Sequence, residues 1–104
     1  MKIVLLTEMA NISKEITGLP YDIWIDSAGE ERKTSHSKPR LKVGEKLIPV
    51  SIEKEPEVFG NKTKDDIPKF RLLVKWIRNN LETLLKHWRQ EIGDRQLKKS
   101  IKKI

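Results

Sequence analysis

Six side chains in the C-terminal half have types and spacing that could act together: Arg71, Lys75, Arg78, Glu82, Lys86 and Arg89, set 4, 3, 4, 4 and 3 residues apart. Steps of three and four place all six on one face of a 3.6-residue helix. Five are basic, whereas a solvated helix normally interleaves acids at these steps to form ion pairs. Cations in such a row suit a phosphate backbone, which they hold through charge and counterion release without reading bases. Four more lysines follow at Lys98, Lys99, Lys102 and Lys103. At a rise of about 1.5 Å per residue the track would reach about 45 Å if the two segments were collinear, which Gly93 puts in question. The competing reading is a charged face that keeps a small protein in solution, and for the tail it is fraying or weak packing.

Two aromatics bear on the choice. Trp76 lies on the flank of the same helix beside Asn80, Thr83 and His87, and Trp24 lies on the polar side of a strand between Asp22 and Asp26. Each is either buried or available to stack on a base or a partner, burial being the commoner fate. Were both exposed, a protein-binding hot spot would explain them better than a nucleotide platform. The candidate contact set for a partner or nucleic acid is therefore Arg71, Lys75, Arg78, Lys86, Arg89, Trp76, Lys98, Lys99, Lys102 and Lys103.

Catalytic chemistry finds little footing. The two histidines, His36 and His87, lie far apart with no metal-ligand spacing. No Gly-x-Ser-x-Gly elbow occurs, and the five glycines are too scattered for a phosphate loop. The remaining idea is a metal-dependent nuclease in which Asp22 or Asp26 and Glu31 hold Mg²⁺ and Lys33 positions a water. A charged hairpin turn accounts for the same residues, so no enzyme, cofactor or resident metal is expected.

The elements that must position these groups follow from hydrophobic period. Phe70, Leu73, Val74, Ile77, Leu81, Leu84, Leu85, Trp88 and Ile92 form one helical stripe, predicting a single long helix within 61–93, with Pro68 in its first turn and Gly93 as its stop. Thr63 to Asp66 offers the caps. A short basic tail helix is expected over 94–104, with Leu97, Ile101 and Ile104 on one side. The first sixty residues read as mainly β. Lys2 to Thr7 is a short apolar run, Tyr21 to Asp26 alternates, and Arg32 to Ser37 suits an exposed edge. Arg40 to Val43 and Lys46 to Ile52 flank Gly44-Glu45 as a hairpin, with Pro49 forcing an edge or a bulge. Asn11 to Ile16 is expected to make one helical turn capped by Asn11 and ended by Gly18 and Pro20. Glu53, Glu55 and Glu57 would solvate the connector or pair with the basic helix. The fold class is α+β: a small antiparallel sheet of three to five strands packed by one long C-terminal amphipathic helix, in a single domain spanning 1–104.

Composition narrows the partners. The 104 residues carry a net charge of +7, all of it from 61–104, where 13 Lys plus Arg face 5 Asp plus Glu against 9 facing 10 in 1–60. So uneven a field favours an anionic partner. Cysteine is absent, which excludes disulfides, thiolate metal sites and cysteine nucleophiles and fits a reducing cytoplasm. The four-residue apolar run near the N-terminus meets an acid, too short for a signal peptide or a membrane span. Membrane-surface binding by the tail would need more anchoring area than Leu97, Ile101 and Ile104 supply.

Two stretches carry a resemblance. Ser35-His36-Ser37-Lys38-Pro39-Arg40-Leu41-Lys42-Val43 precedes the hairpin, and the helix of Phe70 to Trp88 ends in Leu84-Leu85-Lys86-His87-Trp88. This arrangement, over roughly Tyr21 to Glu91, resembles the bacterial proteins of domain of unknown function 4160, which occur in toxin–antitoxin-like neighbourhoods. That family places a Pro-Pro-His-x-His element before a strand and a Leu-Leu-x-x-Trp-like signature at a helix end. Arg40 and Lys42 stand here where it has histidines, so the role of those histidines does not carry over. By type, a small, cysteine-free, Lys- and Ile-rich chain opening Lys2-Ile3-Val4-Leu5-Leu6-Thr7 is similar to phage and plasmid accessory proteins, including anti-CRISPR inhibitors of Cas9. The similarity implies a cytoplasmic inhibitory binding protein that engages a CRISPR nuclease or its guide RNA through the basic helix. A nucleic-acid-binding antitoxin-like or regulatory module is the alternative. Leftover apolar helix surface leaves a homodimer open.

Overall fold

A computed structural model of the chain describes residues 9–26 and 39–104. Four short strands, β1 (Met9–Ile12), β2 (Ile23–Asp26), β3 (Arg40–Val43) and β4 (Ile48–Ser51), form one antiparallel sheet in the order β1-β2-β3-β4. Registers run Ile12 to Ile23, Trp24 to Lys42 and Val43 to Ile48 across successive pairs. Side chains alternate across the pleat, so Ala10, Ile12, Ile23, Ile25, Leu41, Val43, Ile48 and Val50 all turn into the core. The α+β expectation of a small antiparallel sheet with C-terminal helices holds. The expected segments Lys2 to Thr7 and Arg32 to Ser37 lie outside the described residues.

Strand β1 replaces the start of an expected helix. Asn11 pairs with Trp24 in the sheet, and the helical turn α1 (Lys14–Thr17) begins two residues after Ile12. Its N-cap is Ser13, whose side chain makes no cap bond; Asp22 accepts the Lys14 N–H instead at 2.9 Å. The cap comes from eight residues on, just before β2, outside the first-turn positions that capping patterns read. Gly18 ends α1 at φ 82°, as its position suggests. The β3–β4 turn occupies residues 44–47, with Gly44 at φ 69°. Pro49 sits on the last strand of the sheet order, where its missing N–H costs no ladder bond. The connector then folds back over that edge: Phe59 N–H donates to Pro49 O and Ser51 N–H to Glu57 O, both at 2.9 Å.

The expected single helix is two. Helix α2 spans Phe70–Asn79 and α3 spans Leu81–Trp88, separated by Asn80 at φ −119°, ψ 13°. The apolar stripe continues across the break, which is why periodicity does not reveal it. At the break the Asn80 backbone N–H is shared between Trp76 O and Ile77 O, both at 3.1 Å, and its side-chain amide fastens the tail: Nδ2 donates to Trp76 O at 2.9 Å and to Lys102 O at 3.1 Å, while Oδ1 accepts Lys102 N–H at 2.7 Å. Only 2 % of Asn80 is exposed, so these bonds are made away from water.

Pro68 does not enter the helix. Thr63 and Asp66 form a reciprocal capping box, but around a 3-10 turn (Lys64–Asp66), and α2 starts only after Lys69 at φ 52°. Nor is Gly93 the stop. Helix α3 closes with Gln90 at φ 62°, where Gln90 N–H donates to His87 O and Glu91 N–H to Lys86 O, the paired bonds of a Schellman ending. Gly93 instead begins α4 (Asp94–Ser100).

One core joins the sheet to these helices, with Leu73, Trp76, Ile77, Leu84 and Leu97 completely enclosed. Each such side chain contributes about 1.5–3 kcal/mol of burial. The tail is docked on the fold, where the sequence suggested fraying or weak packing. After α4 the chain runs extended, and Ile104 N–H donates to Thr17 O at 2.8 Å. A side chain at Gly18 would come within 2.5 Å of the Ile104 backbone oxygen, so the tail can lie there only against glycine. Among the described residues no helix is long and apolar enough to cross a membrane.

Candidate nucleic-acid interface

The break at Asn80 divides the predicted basic track. Arg71, Lys75 and Arg78 share α2, while Lys86 lies on α3 and Arg89 caps it. The two halves also differ in partners. Lys86 Nζ stands 3.5 Å from Glu82, one helical turn back, and Arg89 pairs with Glu91. Arg71 and Lys75 are exposed and meet no acid among the described residues. Arg78 donates from Nε to the Lys54 carbonyl at 2.7 Å, which ties the backbone of the 53–57 connector to α2. The continuous six-residue face therefore resolves into a short unneutralised segment on α2 and a self-paired one beyond it.

That segment gains two cations the helical period could not supply. Lys64, Lys69, Arg71, Lys75 and Arg78 line one open groove of about 970 Å³, with Asp65 as the sole acid among them and Phe70 and Val74 half-buried in its floor. Lys64 and Lys69 come from the 3-10 turn and the helix entry, outside the stripe of α2. Helix α2 also begins with no side-chain cap and no acid in its first turn. The positive end of its dipole, worth roughly half a charge, thus adds to the five cations uncompensated.

Other candidates fall elsewhere. Trp76 is 0 % exposed, walled in by the core, so the stacking role considered for it is corrected: no base or partner can reach its ring. Lys98, Lys99, Lys102 and Lys103 are exposed, but they follow α4 and the tail rather than extending α2, so no collinear track exists. The Lys102 backbone is held at Asn80, next to Asn79 at the groove's end. His87 is 3 % exposed, and its Nε2 lies 2.7 Å from Asp94 Oδ1, a link between α3 and α4 rather than a metal ligand. Of the nuclease set, Asp22 caps α1, and Glu31, Lys33 and the side chain of Asp26 lie outside the description, as does His36. Among the described residues no three His, Asp or Glu side chains gather to hold a metal.

A second depression, of about 540 Å³, opens beside the first. Tyr21, Trp24, Gly44, Glu45, Lys46, Lys14 and Asp22 contribute to its wall, and it shares Ile67 and Pro68 with the groove. Tyr21 Oη donates to Pro68 O at 2.9 Å, and burial pushes its phenol up to about 12. The hydroxyl is thus a fixed donor that holds the Pro68 ridge in place. No family model matches the chain, and neither a curated protein nor a solved structure matches it.

Proposed function

We propose that this chain is a non-enzymatic binding protein that engages the phosphate backbone of a nucleic acid through the α2 groove. The observation that carries the reading is the gathering of Lys64, Lys69, Arg71, Lys75 and Arg78 around one groove with a single carboxylate, Arg71 and Lys75 having no acidic partner among the described residues. Such a cluster repels itself unless an anion fills it, and a backbone of regularly spaced phosphates answers several cations at once. The type similarity suggests the guide RNA of a CRISPR nuclease as the target, bound as an inhibitor; an antitoxin-like or regulatory module would use the same surface.

Salt titration tests the groove directly. Five phosphate contacts on a single strand give a slope of log affinity against log salt of about −3.5, a loss of about a hundred-fold between about 50 and 200 mM. The double reversal Arg71→Glu with Lys75→Glu should abolish binding, whereas Lys86→Glu, already paired with Glu82, should change it little. A flat salt response, or equal losses at Lys86 and Lys75, refutes the reading. Pull-down from a bacterial lysate with and without nuclease treatment then separates a nuclease–RNA complex from free nucleic acid.

A further inference from the structure

We infer that the depression beside the groove is a base pocket, and that the nucleic acid bound is single-stranded, with one unstacked base turned across the Pro68 ridge onto Trp24. The inference rests on the groove reading and deepens it. Three observations carry it. The two depressions are contiguous, sharing Ile67 and Pro68, so a chain lying along α2 passes directly by the mouth of the pocket. Their chemistry is segregated: the groove gathers five cations and one acid, while the pocket gathers two aromatics, two lysines and the carboxylates of Asp22, Glu45 and Asp66. Three acids disfavour a bare phosphate, yet they offer acceptors to the amino and imino groups on the edge of a base. Asp22 and Asp66 are held for this by backbone N–H groups, from Lys14 at 2.9 Å and Thr63 at 2.7 Å, which engage one oxygen of each.

The third observation is Trp24 itself. It points away from the core-facing Ile23 and Ile25 and is only half-buried, and its indole N–H finds no acceptor among the described residues. Trp76 and Trp88, by contrast, are enclosed. An aromatic face beside a cationic groove is the usual platform for single strands, because every base has a π-face and the sugar–phosphate chain needs only charge. A duplex keeps its bases stacked and cannot fill the pocket. Lys14 and Lys46 at the rim are placed to meet the phosphates on either side of the turned base.

The test uses a short mixed-sequence single-stranded RNA, the corresponding duplex, and the intact protein. With the other two tryptophans enclosed, binding of the single strand should quench the emission of Trp24, and the duplex should not. Trp24→Leu should weaken the single strand by roughly five- to hundred-fold and leave the duplex unchanged. Quenching in the unmodified protein stands without that variant, should it fold poorly. If Arg71→Glu with Lys75→Glu abolishes binding while Trp24 is neither quenched nor needed, the base pocket is overturned and the groove survives. If no oligonucleotide binds, both fall.

Discussion

Replacing Asn80 by alanine should destabilise the protein by about 2–3 kcal/mol, far more than a surface helix substitution. The amide makes three bonds: Nδ2 to Trp76 O, Nδ2 to Lys102 O, and Lys102 N–H to Oδ1. At about 0.5–1.5 kcal/mol net for each, their loss amounts to about 3 kcal/mol. Urea unfolding followed by circular dichroism reads the difference, as a midpoint lower by about 1–2 M at a slope near 1.5 kcal/mol per M. Removing residues 101–104 deletes two of the same three bonds from the other side. The double change should therefore fall short of the sum of the single ones by about 1–2 kcal/mol. A loss below about 0.5 kcal/mol, or strict additivity, would refute the assignment of Asn80 as the fastening point of the tail.

The phenol of Tyr21, its folded value raised above the ordinary value of about 10, binds its proton more tightly in the folded state. Its contribution to stability is therefore complete below pH 10 and declines as pH rises from about 10 to about 12. Tyr21→Phe should lack this decline when the two proteins are unfolded in urea across that window, the lysines titrating alike in both; parallel pH curves contradict it. Asp94→Ala leaves the buried His87 ring with no partner at Nε2 as well as at Nδ1, and should cost about 1–3 kcal/mol. Asp94→Asn, which keeps an acceptor oxygen, should recover most of that loss, and equal losses for the two variants would show that the hydrogen bond is not the cause.

Periodicity located much of the fold and some of the site. Ile23 and Ile25, Leu41 and Val43, and the stripe from Leu73 to Trp88 are core residues that alternation or three-and-four spacing identifies unaided. What escaped depends on contacts between distant segments. Asn80 looks like one of two asparagines on a helix flank, and its bonds to the Lys102 backbone join residues 22 apart, beyond any local pattern. The Schellman ending falls at Gln90, a residue with no preference that would announce it, while Gly93 drew attention one turn too late. For the site, Arg71, Lys75 and Arg78 were legible as a helical face. Lys64 and Lys69 were not, because their approach to α2 depends on the capping box and the left-handed Lys69. The neutralisation of Lys86 by Glu82 was readable at i,i+4 spacing, and that of Arg89 by Glu91 was not.

The contact of Ile104 with Thr17 spans almost the entire chain. Ring closure on that scale carries the greatest entropic cost of any pairing described here and gains only a few residues of packing in return. Such a latch belongs among the last contacts to form and the first to let go. Its release would lay bare the end of α1 while leaving the four-stranded meander zipped and Lys102 held at Asn80. A thermal fluctuation could thus loosen one flank of the molecule at a small fraction of the work of global unfolding.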